Sequence, residues 1–453
     1  MRNFRKLIFG TAVTVAACLA VGSVASAESI SGSGATFPQT FLEAATKSYN
    51  AVSGHTVTYA NPGGGSGKGK SDFKAGLTDF GGSDSAVSSS AAPSFGWTYV
   101  PYVAGGLSVA YRLDEIKGAT LQLKAATVVK IFTGKITKWN DPLILADMDD
   151  NPIWSNSKKK SDFRGASVLW QNQSATSALV TVTFTPAALK SAKGKKVEIF
   201  NGGKKAIGTA TVGAKGQVTL RLVPSTTKTY TVKVAGKETA KFIKNTIALP
   251  NKSIIVTYRS DGSGTTNNFT QFLNANDPTW KINDAFTTAI PGGSSTVSAM
   301  GAAFQGQSGS AALSNYVADN NGTIGYTEVS FATDSTRAAK GMQSALIQNA
   351  AGKYTAPTSA AVSSMIADSD IDAKGFVTFD FKQRTNTTAY PIVAVTYILG
   401  KTQTSAKNAV VSDFVKWMLT SFSPANAESL GYAALSGALY SVALNKAKTI
   451  NAG

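Results

Sequence analysis

The chain reads as an α/β protein interrupted by an all-β module, and three observations carry that reading. Both flanks alternate strand-like segments with amphipathic helical ones, such as 127–132 and 412–420. Residues 155–252 show short alternating strands and no helical period. The same stretch holds the whole charge excess of the exported chain: 18 Lys+Arg against three acids (Asp162, Glu198, Glu238), while the flanks after residue 27 carry 23 of each sign.

The first 27 residues have the form of an export signal. Arg2, Arg5 and Lys6 precede an apolar run over 7–24, and Ala25-Ser26-Ala27 supplies the small residues of a cleavage site. Gly10, Thr11 and Thr14 break the run, which is short for a permanent anchor. Cleavage after Ala27 is therefore expected, with Glu28 as the mature N-terminus. Cys18, the only cysteine, lies in this segment. The mature chain would then contain no disulfide, thiolate nucleophile or cysteine metal site. Val15-Ala16-Ala17-Cys18 also has the form of a lipoprotein box. That rival reading places a lipid on Cys18, against the apolar residues that follow it. The expected location is the periplasm or the outer cell surface.

At 453 residues the chain predicts two or three domains. In the basic segment, strands are expected at 178–184, 196–200, 206–212, 217–222 and 229–234. Turns at Asn201-Gly202-Gly203 and 213–216 separate them. Several strands in so short a stretch without cysteine predict an immunoglobulin-like β-sandwich over 155–252. Because the rest of the mature chain is neutral, the formal charge of +18 argues for a localised basic module and against a nucleic-acid partner.

Four segments outside the module share one chemistry, with small residues, hydroxyls and glycines at strand-to-helix junctions. They are Gly32-Ser33-Gly34-Ala35-Thr36-Phe37-Pro38, Gly63-Gly64-Gly65-Ser66-Gly67-Lys68-Gly69, Asp79-Phe80-Gly81-Gly82-Ser83-Asp84 and Arg259-Ser260-Asp261-Gly262-Ser263-Gly264-Thr265. A helix N-terminus presents unpaired N–H groups and a partial positive charge, so such junctions bind anions. Singly, each is as readily an ordinary turn. The fourth adds Arg259, a forked and permanently charged donor.

An enzyme fits poorly. His55 is the only histidine, so no second one can assemble a Ser-His or Cys-His nucleophile. The Asp149/Asp150 pair reads as a solvated loop, and no metal-ligand spacing or cofactor motif occurs.

Taken in order, Gly34–Pro38, Phe80–Asp84 and Arg259–Thr265 resemble the anion-binding motifs of the substrate-binding proteins of bacterial phosphate ABC importers. Gly134-Lys135-Ile136 with Trp139, residues 322–326 and Tyr390-Pro391-Ile392 add to the likeness, which covers roughly 30–152 and 253–440. The resemblance implies a two-lobed type II periplasmic-binding-protein fold. Its lobes would be 28–104 plus 392–453 and 105–154 plus 253–391, with crossings near 102–106 and 390–394. It implies inorganic phosphate as ligand and the membrane permease of a phosphate ABC transporter as partner. The implied contacts are Thr36, Phe37, Ser66, Asp84, Arg259, Ser263, Gly264 and Thr265. The glycine loop at 61–67 is longer than the family's, which loosens the placement of Ser66. Two alternatives stay open: another oxyanion (sulfate, molybdate or a phosphate ester), or a surface protein that holds anionic cell-wall polymer through the basic module.

Overall fold

The computed structural model describes residues 27–60, 64–116, 119–149, 154–155, 166–174, 177–223, 229–243 and 249–453. The export signal with Cys18, Asp150 and the Lys158–Lys160 run lie outside the described residues. No helix among the described residues is long and apolar enough to cross a membrane.

In chain order the central elements are β1 (Ser29–Gly34), α1 (Gln39–Ser53), β2 (Thr56–Ala60), α2 (Gly65–Lys74), β3 (Phe80–Ser83), β4 (Trp97–Arg112), β5 (Ile255–Arg259), α3 (Gly264–Asn276), β6 (Phe304–Gln307), α4 (Gly309–Asp319), β7 (Thr323–Glu328), β8 (Met342–Ser344), β9 (Val393–Lys401) and α5 (Ala406–Trp417). Helix α1 shows how the sequence sets them. Phe41, Leu42, Ala45 and Tyr49 fall on one face and are buried, and Gly54 closes the helix in the left-handed conformation.

The strands form one sheet in the order β6-β5-β7-β4-β9-β3-β1-β2, with β8 also paired to β4. Strand β4 joins its two halves. Residues 97–106 pair antiparallel with β9, whereas residues 107–112 pair antiparallel with β7. On either side of this shared strand the outer pairs are parallel: β1 with β2 and β3, and β5 with β6 and β7. The strand-to-helix junctions of both halves therefore lie at carboxyl ends of parallel strands, where open α/β sheets bind ligands. A single large apolar core spans both halves, from Ile30 and Phe41 to Phe269 and Tyr326.

The basic segment contains two antiparallel sheets. A five-stranded one runs in the order Gly208–Thr211, Lys196–Phe200, Thr229–Val234, Lys237–Ile243, Trp154–Ser155. A three-stranded one contains Gln217–Leu222, Ser177–Phe184 and Ala166–Ser174. Alternate residues such as Val180, Val182, Val197, Ile199, Leu220 and Val232 build a core of their own, the result expected of period-2 patterning. The segment's stems meet at the larger body: Trp139 N donates to Lys252 O at 3.0 Å and Ile254 N to Thr137 O at 2.9 Å. Adjacent stems explain how the α/β fold accommodates the module.

Three details depart from the sequence reading. The basic segment has a helix, Pro186–Ala192, capped by Thr185; seven residues are too few to display a period, although Thr-Pro is itself a start signal. Strands Ala166–Ser174 and Lys237–Ile243 were not expected, the second being hidden by its charged residues. The later part of the glycine loop is helix from Gly65 onward, and glycine is required in it at position 69, where a Cβ would stand 2.3 Å from Gly82 O.

Candidate functional site

The first junction enters α1 through Gly34, whose φ of +134° is open only to glycine; a Cβ there would stand 2.2 Å from Gly82 O. This close approach sets Thr36 at the inner edge of both halves. Thr36 Oγ1 lies 2.9 Å from Ser310 Oγ and accepts from Ser310 N at 3.2 Å. Phe37 is fully buried, edge-on to Tyr432, and its carbonyl accepts from Tyr432 Oη at 2.8 Å.

Ser66 sits in the first turn of α2. Its Oγ accepts from Asp84 N at 3.1 Å and donates to Asp84 Oδ2 at 3.3 Å. Asp84 follows β3 directly, and no helix begins there, so the helix-capping role an Asp often plays does not apply. The peptide carbonyl of Asp84 accepts from Asn268 Nδ2 of α3 at 2.7 Å. Burial raises the Asp84 carboxyl to about 7, against the pull of Thr396, Arg259 and Ser66.

Arg259 ends β5 and is 2% exposed. Its Nε donates to Asp261 Oδ1 at 2.7 Å, its Nη2 to Asp261 Oδ2, and its Nη1 to Ser310 Oγ at 3.1 Å. One edge of the fork is thus held by Asp261. Burial alone would raise that carboxyl, but Arg259's hydrogen bonds and charge hold it below the usual range. Ser263 caps α3, its Oγ accepting from Thr266 N at 3.1 Å. Gly264 is pressed against the opposite half, where a Cβ would stand 2.5 Å from Ser66 Oγ. Thr265 is buried, and among the described residues its Oγ1 has no hydrogen-bond partner.

Of the eight residues singled out from the sequence, Thr36, Ser66, Asp84, Arg259 and Gly264 make contacts across the junction between the two halves; Ser263 and Thr265 flank Gly264, and Phe37 follows Thr36 with its ring packed on Tyr432 within its own half. Gly67 N donates to Gly262 O at 2.8 Å, and Lys70 pairs with Asp284 at 2.6 Å. The arrangement is closed: hydroxyls and the N-termini of α1, α2, α3 and α4 converge near one guanidinium, its partner Asp261 and the buried carboxyl of Asp84. Such a set can surround a small tetrahedral anion and also accept a proton from it.

A PBP superfamily domain model matches residues 20–248 and 244–421, which is most of the chain. The chain belongs to the PBP superfamily. Among curated relatives of this superfamily member, phosphate-binding protein PstS of Xylella fastidiosa (strain 9a5c) is 26% identical over 393 residues, covering 86% of this chain and 76% of that protein. Phosphate-binding protein PstS of Methanocaldococcus jannaschii is 26% identical over 437 residues, covering 92% and 85%. Among solved structures, an ancestral soluble variant of the human phosphate binding protein superposes with a TM-score of 0.56 at 18% identity, covering 94% of this chain and 98% of that one. The superposition confirms the two-lobed α/β fold of periplasmic binding proteins.

Sequence reasoning missed four contributors. Asp261 was read as part of a turn, yet it holds the Arg259 fork. Ser310 opens α4 after β6, and Ser308-Gly309-Ser310 repeats the small-residue pattern of the other junctions, so the signal was present. Asn268 and Glu328 carried no local signal, because only tertiary packing brings them to the junction. His55 lies apart from this site, where its Nδ1 accepts from Glu28 N at 3.1 Å.

Replacing Asp261 with Ala would leave the Arg259 charge buried and unpaired. The expected cost is about 3–5 kcal/mol of unfolding free energy, as for one-sided removal of a buried pair. Denaturant melts check it; a loss below about 1 kcal/mol would mean that water reaches the guanidinium.

Proposed function

We propose that this chain binds inorganic phosphate between its two lobes outside the cytoplasm and hands it to the membrane permease of an ABC importer. Thr36, Phe37, Ser66 and Asp84 serve as contacts from the lobe formed by 28–104 and 392–453. Arg259, Ser263, Gly264 and Thr265 serve from the lobe formed by 105–154 and 253–391. The observation that carries the reading is the placing of a buried carboxyl, Asp84, close enough to Arg259 to feel its charge, inside a shell of helix N-termini. A carboxylate repels any anion at close range, so its presence favours a ligand that brings a proton. Phosphate near neutrality carries one; sulfate does not. With its own carboxyl raised to about 7, Asp84 exchanges a proton over the range in which phosphate does. The proton can then be shared between them, and the names of the relatives point the same way.

The chain acts as a carrier with no chemical step and no cofactor, exported by the signal at its N-terminus. In this reading the module over 155–252 folds on its own core and holds the protein near anionic cell-wall polymer. Its motivation is a net charge of +15 in that segment beside a neutral remainder.

Two measurements follow. Calorimetric titration of the wild type with phosphate and then sulfate should show strong preference for phosphate. Asp84→Asn, which can donate to a proton-free oxyanion, should narrow that ratio by roughly tenfold or more, since a mispaired buried polar group costs about 1–3 kcal/mol. An unchanged ratio removes Asp84 from the selectivity. Retention of the full chain on anionic wall polymer should weaken steadily with salt; if a chain lacking 155–252 is retained equally, the adhesive role fails.

A further inference from the structure

Behind the proposed phosphate contacts lies a second buried carboxyl that the binding reading does not use. Glu328, the last residue of β7, is 1% exposed, and among the described residues its Oε1 has no hydrogen-bond partner. Its other oxygen belongs to a chain of hydroxyls. Ser314 Oγ lies 2.7 Å from the carbonyl oxygen of Ser310, Thr327 Oγ1 lies 2.9 Å from Ser314 Oγ, and Glu328 Oε2 lies 3.2 Å from Thr327 Oγ1.

This hydroxyl chain gives a charged carboxylate little support. Thr327 Oγ1 donates to Glu328 Oε2 at 3.2 Å, a single long bond for two oxygens, and Oε1 gains no donor from it. A neutral acid also lowers the cost of leaving Oε1 unpaired, since burying a carboxylate oxygen without a donor is far more expensive.

The charges around the group favour the same state. Arg259 of β5 faces it, but that guanidinium is already matched by Asp261. Asp84, at the end of β3, faces it with a like charge, and Tyr432 lies near enough to feel its charge. From α4 and the start of α1 come only neutral hydroxyls, Ser310 and Thr36. If Glu328 and Asp84 were both ionised, an incoming oxyanion would meet two negative charges beside one compensated cation. Burial raises the Glu328 carboxyl to about 8, against the pull of its own backbone N–H, Ser310 and Arg259.

We propose that Glu328 is a positioning residue that the site holds as the neutral acid, so that oxyanion binding is coupled to its proton and is lost when that proton leaves. The proposal rests on the phosphate reading for its ligand. The sign follows from linkage: the binding-competent form carries the proton, so affinity is full well below about 8 and falls as pH rises through it.

Two experiments on the full chain test it. Infrared spectra of the ligand-free protein near neutrality should contain a buried protonated-carboxyl band that is lost on alkalinisation and absent from Glu328→Gln. If wild type and variant show the same bands, the assignment is overturned, whether or not phosphate binds. Inorganic phosphate is then titrated from about pH 7 to about pH 9.5, in buffers of different ionisation enthalpy. Above the range where Glu328 ionises, wild-type affinity should fall about tenfold per pH unit more steeply than that of the variant. Wild-type binding there should also take up about one proton more. Equal slopes and equal uptake overturn the proposal. Should Glu328→Gln fail to fold, proton uptake by the wild type alone decides, because uptake that stays flat from neutral to alkaline pH contradicts it. Absence of any phosphate binding near pH 7 would instead sink the phosphate reading, while the infrared arm still judges Glu328.

Discussion

One guanidinium, buried where the two halves of the sheet meet, constrains the rest of this structure. Arg259 cannot shed its proton, and a buried charge is tolerated only with full compensation. Asp261 supplies it along one edge of the fork, and Ser310 receives another donor. Holding that geometry requires β5 to end at the sheet's edge of action, α3 to start five residues later and α4 to present Ser310 from the neighbouring junction. The opposite half then closes over it through Thr36, Ser66 and Asp84. The site is therefore a property of two halves pressed together around one charge; burial there raises the carboxyls of Asp84 and Glu328, while Arg259 lowers that of Asp261.

Much of this was legible in the sequence, and the reason is local. Gly34, Ser263 and Gly264 obey backbone rules: a left-handed turn, a helix cap and a close approach each demand a particular residue type at a particular place. Arg259 stood out because a fixed charge among glycines and hydroxyls is unusual. Asn268 and Glu328 escaped for the opposite reason. Asn268 reads as one polar residue in an amphipathic helix, and Glu328 ends a short strand where a solvated carboxylate is the ordinary expectation. Their roles come from register, since β7 must pair with β4 as Glu328 with Leu107 before the carboxyl faces Arg259. Register across strands more than two hundred residues apart leaves no mark in a short window.

The basic module illustrates the same division. Alternation along 217–222 and 229–234 exposed its strands, whereas Lys237, Glu238 and Lys241 interrupt that pattern along Lys237–Ile243. Its separate apolar core and adjoining stems keep it from distorting the sheet that positions the site. The charge asymmetry of the whole chain is then a property of one unit, and the oxyanion site has no need of it.

The central claim is that an oxyanion is held by contacts from both lobes, and so binds the closed arrangement better than any open one. Small-angle scattering of the full chain, without and then with saturating inorganic phosphate, addresses it most directly. A smaller radius of gyration with phosphate, reversed when the ligand is removed, is the predicted result. An unchanged particle at a phosphate concentration shown by calorimetry to saturate the protein would contradict the account.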